Sequence, residues 1–142
     1  MLSFPELRKE IIKYCVLMYE NNYVVASDGN ISVRISEGHF LITPSDKRKA
    51  ELEYKDLIVI NKEGNVIEGN FTPSKEMWMH IWIYEMRPDV NAVIHAHPPY
   101  STAFPSRCPE NTFLSYLKLK FSLERLALFH TEKPAPWNWQ NL

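Results

Sequence analysis

Residues 92–104 read AVIHAHPPYSTAF, and the rest of the chain is organised around this stretch. The apolar run 92–94 leads into His95 and His97, and a pair of prolines then ends the extended segment. In a β-strand, side chains two residues apart lie on the same face, so the two histidines are expected to project side by side. Two adjacent imidazoles can form half of a divalent-metal site, but so short a pattern also arises from two unrelated histidines at a strand end.

The composition predicts one globular domain with a real core, since 45% of the 142 residues are hydrophobic and 13% are aromatic. A net charge of −1 gives no reason to expect nucleic acid or an anionic membrane as a partner. Two cysteines do not indicate a disulfide framework. The first residues lack the pattern of a signal peptide and no apolar run approaches the length of a membrane span, so we expect a cytoplasmic protein.

Hydrophobic periodicity predicts a helix, then short strands joined by tight turns, then a second helix that precedes the His95 segment. The predicted helices cover residues 4–22 and 72–86, and the predicted strands cover residues 31–35, 39–43, 57–61 and 66–68. Consecutive strands linked by short turns indicate a mainly antiparallel sheet with added helices, not a doubly wound parallel fold.

The second predicted helix combines apolar bulk with two polar side chains. Thr72 is a suitable cap, and apolar residues lie nearly all round the helix, so we expect it to be buried between the sheet and another element. Glu76 and His80 are four residues apart and therefore share a face. Favourable pairing with the helix dipole is a sufficient structural reason for a glutamate at position 76. The functional interpretation is a metal ligand, or a general base whose pKa is tuned by burial.

Two loops each allow a plain and a functional interpretation. The Gly29–Asn30 pair is typical of a hairpin turn, but it could also bring backbone N–H groups and an amide close to an anion. The basic run at residues 47–49 is predicted to be a solvated loop. Neither segment decides a function by itself.

Several separated motifs, taken together, resemble one known family. They are SDGNISVR at residues 27–34, LITPS at 41–45, PSKE at 73–76, RPDVNAVIHAH at 87–97 and STA at 101–103. In this order and spacing they resemble the class II aldolase/adducin-like family, and the resemblance covers about residues 4–104. The agreement of separated segments makes this motif set specific.

The resemblance implies a three-layer α/β/α sandwich with a central, mainly antiparallel sheet, and a homotetramer of fourfold symmetry. It implies a zinc site formed by Glu76, His95 and His97, and a substrate phosphate held near Asn30, Ser45, Ser74 and Lys75. These residue types suit the roles, because short hydroxyls, amides and loop N–H groups near a helix N-terminus favour a dianion.

The activity implied by the resemblance is zinc-dependent aldol cleavage of a ketose 1-phosphate, similar to fuculose phosphate, to dihydroxyacetone phosphate and an aldehyde. Zinc would act as a Lewis acid, and Glu76 would leave the metal to serve as acid and base. The same family contains 4-epimerases, dehydratases and non-catalytic adducin-type modules, which stay as alternatives. Glu76 favours aldol cleavage, because the epimerases commonly carry Asp at this position.

Two departures from the family pattern affect these expectations. Asp46 stands where the family usually has glycine, and a carboxylate beside a phosphate would repel it, which weakens Ser45 as a phosphate ligand. After residue 104 the motif resemblance stops: residues 105–142 contain no glycine or valine and only one histidine, His130. We therefore predict an aldolase-like domain over residues 1–104 with an incomplete C-terminal portion, an atypical tail over residues 105–142, weak metal binding and impaired turnover.

Overall fold

Two α-helices and five β-strands form the part of the chain that the computed structural model describes, residues 4–99. In chain order they are α1 (Phe4–Glu20), β1 (Asn30–Ser36), β2 (His39–Ile42), β3 (Ile58–Asn61), β4 (Val66–Glu68), α2 (Met77–Met86) and β5 (Ala92–His95). Two short 3-10 turns, Lys49–Glu51 and Tyr54–Asp56, connect β2 to β3. The strands predicted at residues 31–35, 39–43, 57–61 and 66–68 are all present, with shifts of one residue or less at their ends.

The five strands form one sheet in the order β4-β3-β2-β1-β5. All four neighbouring pairs are antiparallel, which confirms the predicted sheet type. β5 is last in the chain but pairs with β1, so that Asn30 lies opposite His95. This pairing brings the first residue of β1 to the histidine segment across more than sixty residues of sequence.

Alternating side chains on the strands divide the core into two halves. On β2, Leu41 packs into the half that contains Cys15 of α1, whereas Phe40 and Ile42 pack into the half that contains Tyr84 of α2. One helix therefore covers each face of the sheet. The described residues form the predicted three-layer α/β/α arrangement.

α2 begins at Met77, not at Thr72 as the sequence predicted. The segment before it pairs with residues 43–45, which follow β2, instead of turning into a helix. Ser45 N–H donates to the carbonyl of Thr72 at 2.9 Å, and Ser74 N–H donates to the carbonyl of Thr43 at 3.3 Å. A helix capped at Thr72 would need the Thr72 carbonyl to accept from residue 76, and here that carbonyl accepts from Ser45 instead.

α2 is not buried on all sides, which corrects the prediction from its apolar composition. His80, Ile81 and Tyr84 are buried, but the side chains of Trp78 and Trp82 are 47% and 38% exposed. The helix therefore packs one face on the sheet and presents the other face outward.

The prediction that the basic run 47–49 is a solvated loop is wrong for Lys49, which is only 1% exposed. Its ammonium group donates to the carbonyl oxygens of Ser27 at 2.7 Å and Lys47 at 3.0 Å. The Lys49 side chain thus joins two loops, whereas the neighbouring Arg48 points to solvent and pairs with Glu51.

The predicted tail over residues 105–142, with His130, lies outside the described residues. The boundary proposed after residue 104 therefore stays a prediction. Within residues 4–99, neither helix has both the length and the apolar character needed to cross a bilayer.

Candidate metal centre and adjoining pocket

The candidate site lies where β1, β5 and the beginning of α2 meet. Asn30 is the first residue of β1 and lies opposite His95, the last residue of β5. Glu76 is the N-cap residue of α2. The antiparallel pairing of β1 with β5 and the packing of α2 on the same face therefore bring these three side chains together from distant parts of the chain.

Glu76, His95 and His97 form a compact group of metal-ligand types. One potential ligand atom from each side chain lies within 4.8 Å of the others. Two nitrogens and one carboxylate oxygen are a donor set that suits zinc and related divalent ions. The side chains present therefore fit the metal that the family resemblance implies.

The two histidines are adjacent, but they do not both lie in a strand. β5 ends at His95, and His97 lies two residues beyond it. The His97 N–H donates to the carbonyl of Tyr23 at 2.8 Å, which fixes the chain after the strand. The two imidazole centroids are 4.5 Å apart with the rings inclined at 60°. The side-by-side arrangement is thus reached through a contact outside the sheet.

Glu76 is strongly acidic in this setting. The hydrogen bond from His95 lowers the pKa of the Glu76 carboxyl to about 2, with a further contribution from Asn30, and both outweigh the opposing effect of partial burial. The carboxylate can only accept hydrogen bonds, so His95 Nδ1 is the donor to Glu76 Oε2 at 2.6 Å. In neutral His95 the lone pair for a metal is consequently on Nε2.

A polar pocket of about 220 Å³ adjoins the metal-ligand group. It is lined by the loop 27–30, the loop 44–46 and the turn 74–76, together with Lys49 and His97. All four residues that the resemblance assigns to phosphate, Asn30, Ser45, Ser74 and Lys75, line this pocket.

These four residues differ in how free their polar groups are to bind an anion. Ser74 is buried just before α2, and its hydroxyl oxygen accepts a bond from the Glu76 N–H at 3.3 Å. Lys75 is largely exposed and approaches Asp46 at 3.4 Å. The Ser45 hydroxyl donates to the same Asp46 carboxylate at 3.0 Å. Asp46 therefore occupies donors that an anionic ligand would use.

Asn30 is buried, and both ends of its amide are engaged. Its Nδ2 donates to Glu76 and its Oδ1 contacts His80 Nε2. The NH2 group carries two hydrogens, and Glu76 takes one of them. Asn30 thus links the metal-ligand group to the interior of the protein as well as to the pocket.

Two site residues were not identified as such from the sequence. The sequence places Lys49 in solvent, because a run of three basic residues gives no sign that its last member turns inward. Burial lowers the pKa of its ammonium group. His80 does carry a sequence signal, because its spacing from Glu76 predicts that both lie on one helix face. Its hydrogen-bond partners Asn30 and Ser32 lie on β1, however, and the helix pattern does not reveal them.

Gly29 allows the loop before β1 to approach the histidine segment. Its φ is +69°, and a Cβ atom at this position would lie 2.4 Å from Val24 Cγ1 and 2.8 Å from the His95 carbonyl oxygen. Any side chain would therefore clash and would also strain the backbone. Gly29 is thus a point of close approach at the site, and Asn30 begins β1, so the pair does not form the hairpin turn that one interpretation of the sequence predicts.

The sequence matches the class II aldolase and adducin N-terminal domain over residues 9–137, a range that continues past residue 104. It is 41% identical over 93 residues to the L-fuculose phosphate aldolase of Methanococcus maripaludis strain C7, covering 66% of this chain and 50% of that protein. It is 36% identical over 111 residues to the 5-deoxy-D-ribulose 1-phosphate aldolase of Bacillus thuringiensis serovar kurstaki, covering 78% and 52%.

A solved structure of an L-fuculose 1-phosphate aldolase superposes with a TM-score of 0.66 at 38% identity, covering 72% of this chain and 49% of that one. Similar proteins include the 3-oxo-tetronate 4-phosphate decarboxylase of Haemophilus influenzae, 38% identical over 60% of this chain and 40% of that protein. The methylthioribulose-1-phosphate dehydratase of Hahella chejuensis is 31% identical over 78% and 53%. The chain spans about half the length of the curated relatives it matches.

Proposed function

Because the chain belongs to the class II aldolase and adducin N-terminal domain family, we propose that its site serves metal-dependent aldol cleavage of a ketose 1-phosphate to dihydroxyacetone phosphate and an aldehyde. The observation that carries this proposal is the group Glu76, His95 and His97 beside a pocket lined by Ser74 and Lys75. The names of the aldolase relatives favour fuculose 1-phosphate as the first substrate to test.

The phosphate of the substrate would lie in the pocket of about 220 Å³. Ser74 offers a hydroxyl at the start of α2, where the helix dipole favours an anion. Lys75 supplies a positive charge, and the second hydrogen of the Asn30 amide supplies a further donor. Ser45 contributes only if its hydroxyl turns away from Asp46.

Glu76, His95 and His97 would hold a zinc ion. When bound, zinc supplies Lewis-acid stabilisation of charge on the substrate oxygens. Aldol cleavage also needs one proton removed from the C4 hydroxyl and one proton delivered to C3 of the three-carbon product. A single carboxylate that takes and returns a proton balances both transfers, and Glu76 is ionised near neutral pH and contacts His95 beside the pocket.

We also propose that the affinity for zinc is modest. If Glu76 acts as acid and base, only His95 and His97 remain as fixed ligands among the described residues, whereas a catalytic zinc usually has three protein ligands. Turnover would then depend on metal concentration, and added zinc would raise it until the site is filled.

Metal content tests the metal centre directly. Zinc per chain is measured by elemental mass spectrometry after equilibration with buffered zinc, for the unmodified protein and for His97→Ala. His39→Ala is the matched control, because His39 lies on β2 and its imidazole contacts Ser36 and Glu37, not the site. We expect about one zinc per chain that is lost in His97→Ala and kept in His39→Ala. Zinc binding unaffected by His97→Ala would contradict the proposal.

Product analysis separates the reactions known in the family. Release of dihydroxyacetone phosphate from fuculose 1-phosphate is the expected result, and it is compared with epimerisation of ribulose 5-phosphate and dehydration of methylthioribulose 1-phosphate. Either of the last two without aldol cleavage would replace the proposed reaction by the alternative. Absence of both zinc and turnover would favour a non-catalytic adducin-like module.

Assembly and location are proposed from the family resemblance. We propose a homotetramer in the cytoplasm. Light scattering coupled to gel filtration tests the assembly, and fractionation of the source cells tests the location. A monomer at micromolar concentration would contradict the assembly and leave the metal-site proposal unaffected.

A further inference from the structure

A buried chain of polar side chains runs from the interior to the candidate metal centre. The Tyr84 hydroxyl lies 2.8 Å from Ser32 Oγ, and Ser32 Oγ lies 2.6 Å from His80 Nδ1. His80 Nε2 then contacts Asn30 Oδ1, and Asn30 Nδ2 contacts Glu76 Oε2. Ser32 is 0%, His80 1% and Asn30 3% exposed. Groups so deeply buried must satisfy one another, because water cannot replace a missing partner.

Glu76, the last member of this series of side chains, fixes the direction of every hydrogen bond in it. The Glu76 carboxylate only accepts, so Asn30 must present its NH2 group to Glu76 and its oxygen to His80. His80 Nε2 must therefore carry a hydrogen. Because burial disfavours the charged imidazolium, Nδ1 is then unprotonated and accepts the hydroxyl hydrogen of Ser32. The Ser32 oxygen in turn accepts from Tyr84.

We propose that His80 is a positioning residue of the site, which holds the Asn30 amide in the one orientation that donates to Glu76. Its Nε2–H binds the amide oxygen and prevents the amide from rotating by half a turn. The rotated amide would put its oxygen against the Glu76 carboxylate, so two acceptors would repel each other and the second hydrogen of the NH2 group would leave the pocket. Ser32 acts one step further back, because its hydroxyl donates to the bare Nδ1 and so satisfies the Nε2–H tautomer that Asn30 requires.

The tautomer of His80 gives a test that does not need activity. Long-range ¹H–¹⁵N correlation of the imidazole at pH 7.5 is expected to show Nε2 protonated and Nδ1 bare. In Ser32→Ala the Asn30 oxygen still accepts from Nε2, so the Nε2–H tautomer is expected to persist. A protonated Nδ1 in the unmodified protein or in Ser32→Ala would overturn the inference that Glu76, through Asn30, sets the tautomer.

Two variants at His80 separate positioning from packing. Gln in His80→Gln places an amide N–H close to the original Nε2–H, whereas His80→Leu fills similar space with no donor. We expect zinc affinity, or kcat at saturating substrate, to fall by about 10- to 100-fold in His80→Leu, the usual effect of losing a partner behind a metal ligand. In His80→Gln most of that loss should be recovered. A merely structural role would affect unfolding in both variants and would leave zinc affinity and kcat alike in the two.

This inference rests on the proposed function only for the zinc and kcat measurements. If the unmodified protein neither binds zinc nor cleaves the ketose phosphate, the proposed function fails, and the tautomer measurements still decide the orientation of Asn30. If zinc binds and His80→Leu and His80→Gln behave alike, the positioning role fails and the proposed function stands. If His80→Leu does not fold, Ser32→Ala and His80→Gln still provide the comparison.

Discussion

At the scale of single residues, Asp46 is the side chain that most affects the pocket. Its backbone has a φ of +56°, in the left-handed region that glycine adopts most easily. Its carboxylate accepts from Ser45 and pairs with Lys75, and these contacts lower the pKa of Asp46. It is thus ionised near neutral pH, and it uses two donors that a phosphate would otherwise find free.

We predict that Asp46→Gly strengthens the binding of inorganic phosphate. Removing one negative charge about 4 Å from a phosphate in a solvent-exposed site is expected to tighten binding about fivefold. Calorimetric titration at constant ionic strength measures the change. Asp46→Asn is the companion variant, since it removes the charge and keeps a side chain at the strained φ. Equal phosphate affinity in all three proteins would show that Asp46 does not oppose the anion.

Lys49 shows where prediction of single residues from the sequence fails. A run of basic residues normally faces water, and here Lys47 and Arg48 form ion pairs at least partly in contact with solvent. Only the position of the loop beside residue Ser27 gives the Lys49 ammonium group two carbonyl partners. That position depends on packing against distant segments, so no local pattern reveals it.

At the scale of secondary structure, local signals predict the strands but not the start of α2. β1 alternates apolar and polar residues, whereas β2 and β3 are short β-prone runs bounded by turn residues, and both signals are local. The bonds of Ser45 and Ser74 to the opposite segment join residues far apart in sequence. They override the capping signal at Thr72 and place Glu76 at the N-cap. The candidate metal ligands themselves were found through spacing and family motifs.

We predict that Gly29→Ala disrupts the junction between β1 and β5. The new methyl group would meet Val24 Cγ1 at 2.4 Å and the His95 carbonyl oxygen at 2.8 Å, so the loop or the strand end must move. Gly38→Ala is the matched control, because Gly38 has nearly the same φ, +70°, but only the flexible Lys62 side chain lies nearby, at 3.7 Å and beyond.

Strain at a positive φ alone is expected to cost about 1 kcal/mol of unfolding free energy in Gly38→Ala. Gly29→Ala should lose clearly more, and its zinc affinity should also fall because His95 is displaced. Urea unfolding and zinc titration of both variants measure these effects. Similar losses in the two variants, with zinc affinity unchanged, would mean that the close approach at Gly29 is not required.

At the scale of the whole molecule, the buried polar chain links stability to pH. Ser32, on the interior strand β1, and Tyr84, on α2, meet His80 between the sheet and the helix. Burial lowers the pKa of His80 to about 4 from its usual 6.5. The site is therefore built on a neutral imidazole beside Tyr84, between α2 and the sheet, and protonating it must disturb the packing of α2 on the sheet.

We predict that the unfolding free energy of the protein falls as the pH is lowered from 6.5 to 4. In this range the unfolded chain takes up a proton at His80 that the folded chain refuses, so acid favours unfolding, by about 3 kcal/mol over the window. Above pH 6.5 the effect is absent, and below pH 4 it is complete. Urea unfolding at pH 7.5, 6.5, 5.5 and 4.5 measures it, with His80→Gln as the reference because glutamine does not titrate.

Glu76 loses its own contribution to the unfolding free energy mostly below this pH window, since its pKa is lowered to about 2, and it does so in both proteins. The difference between the two curves thus isolates His80, and curves that stay parallel down to pH 4.5 would show that the imidazole is not held neutral in the folded protein.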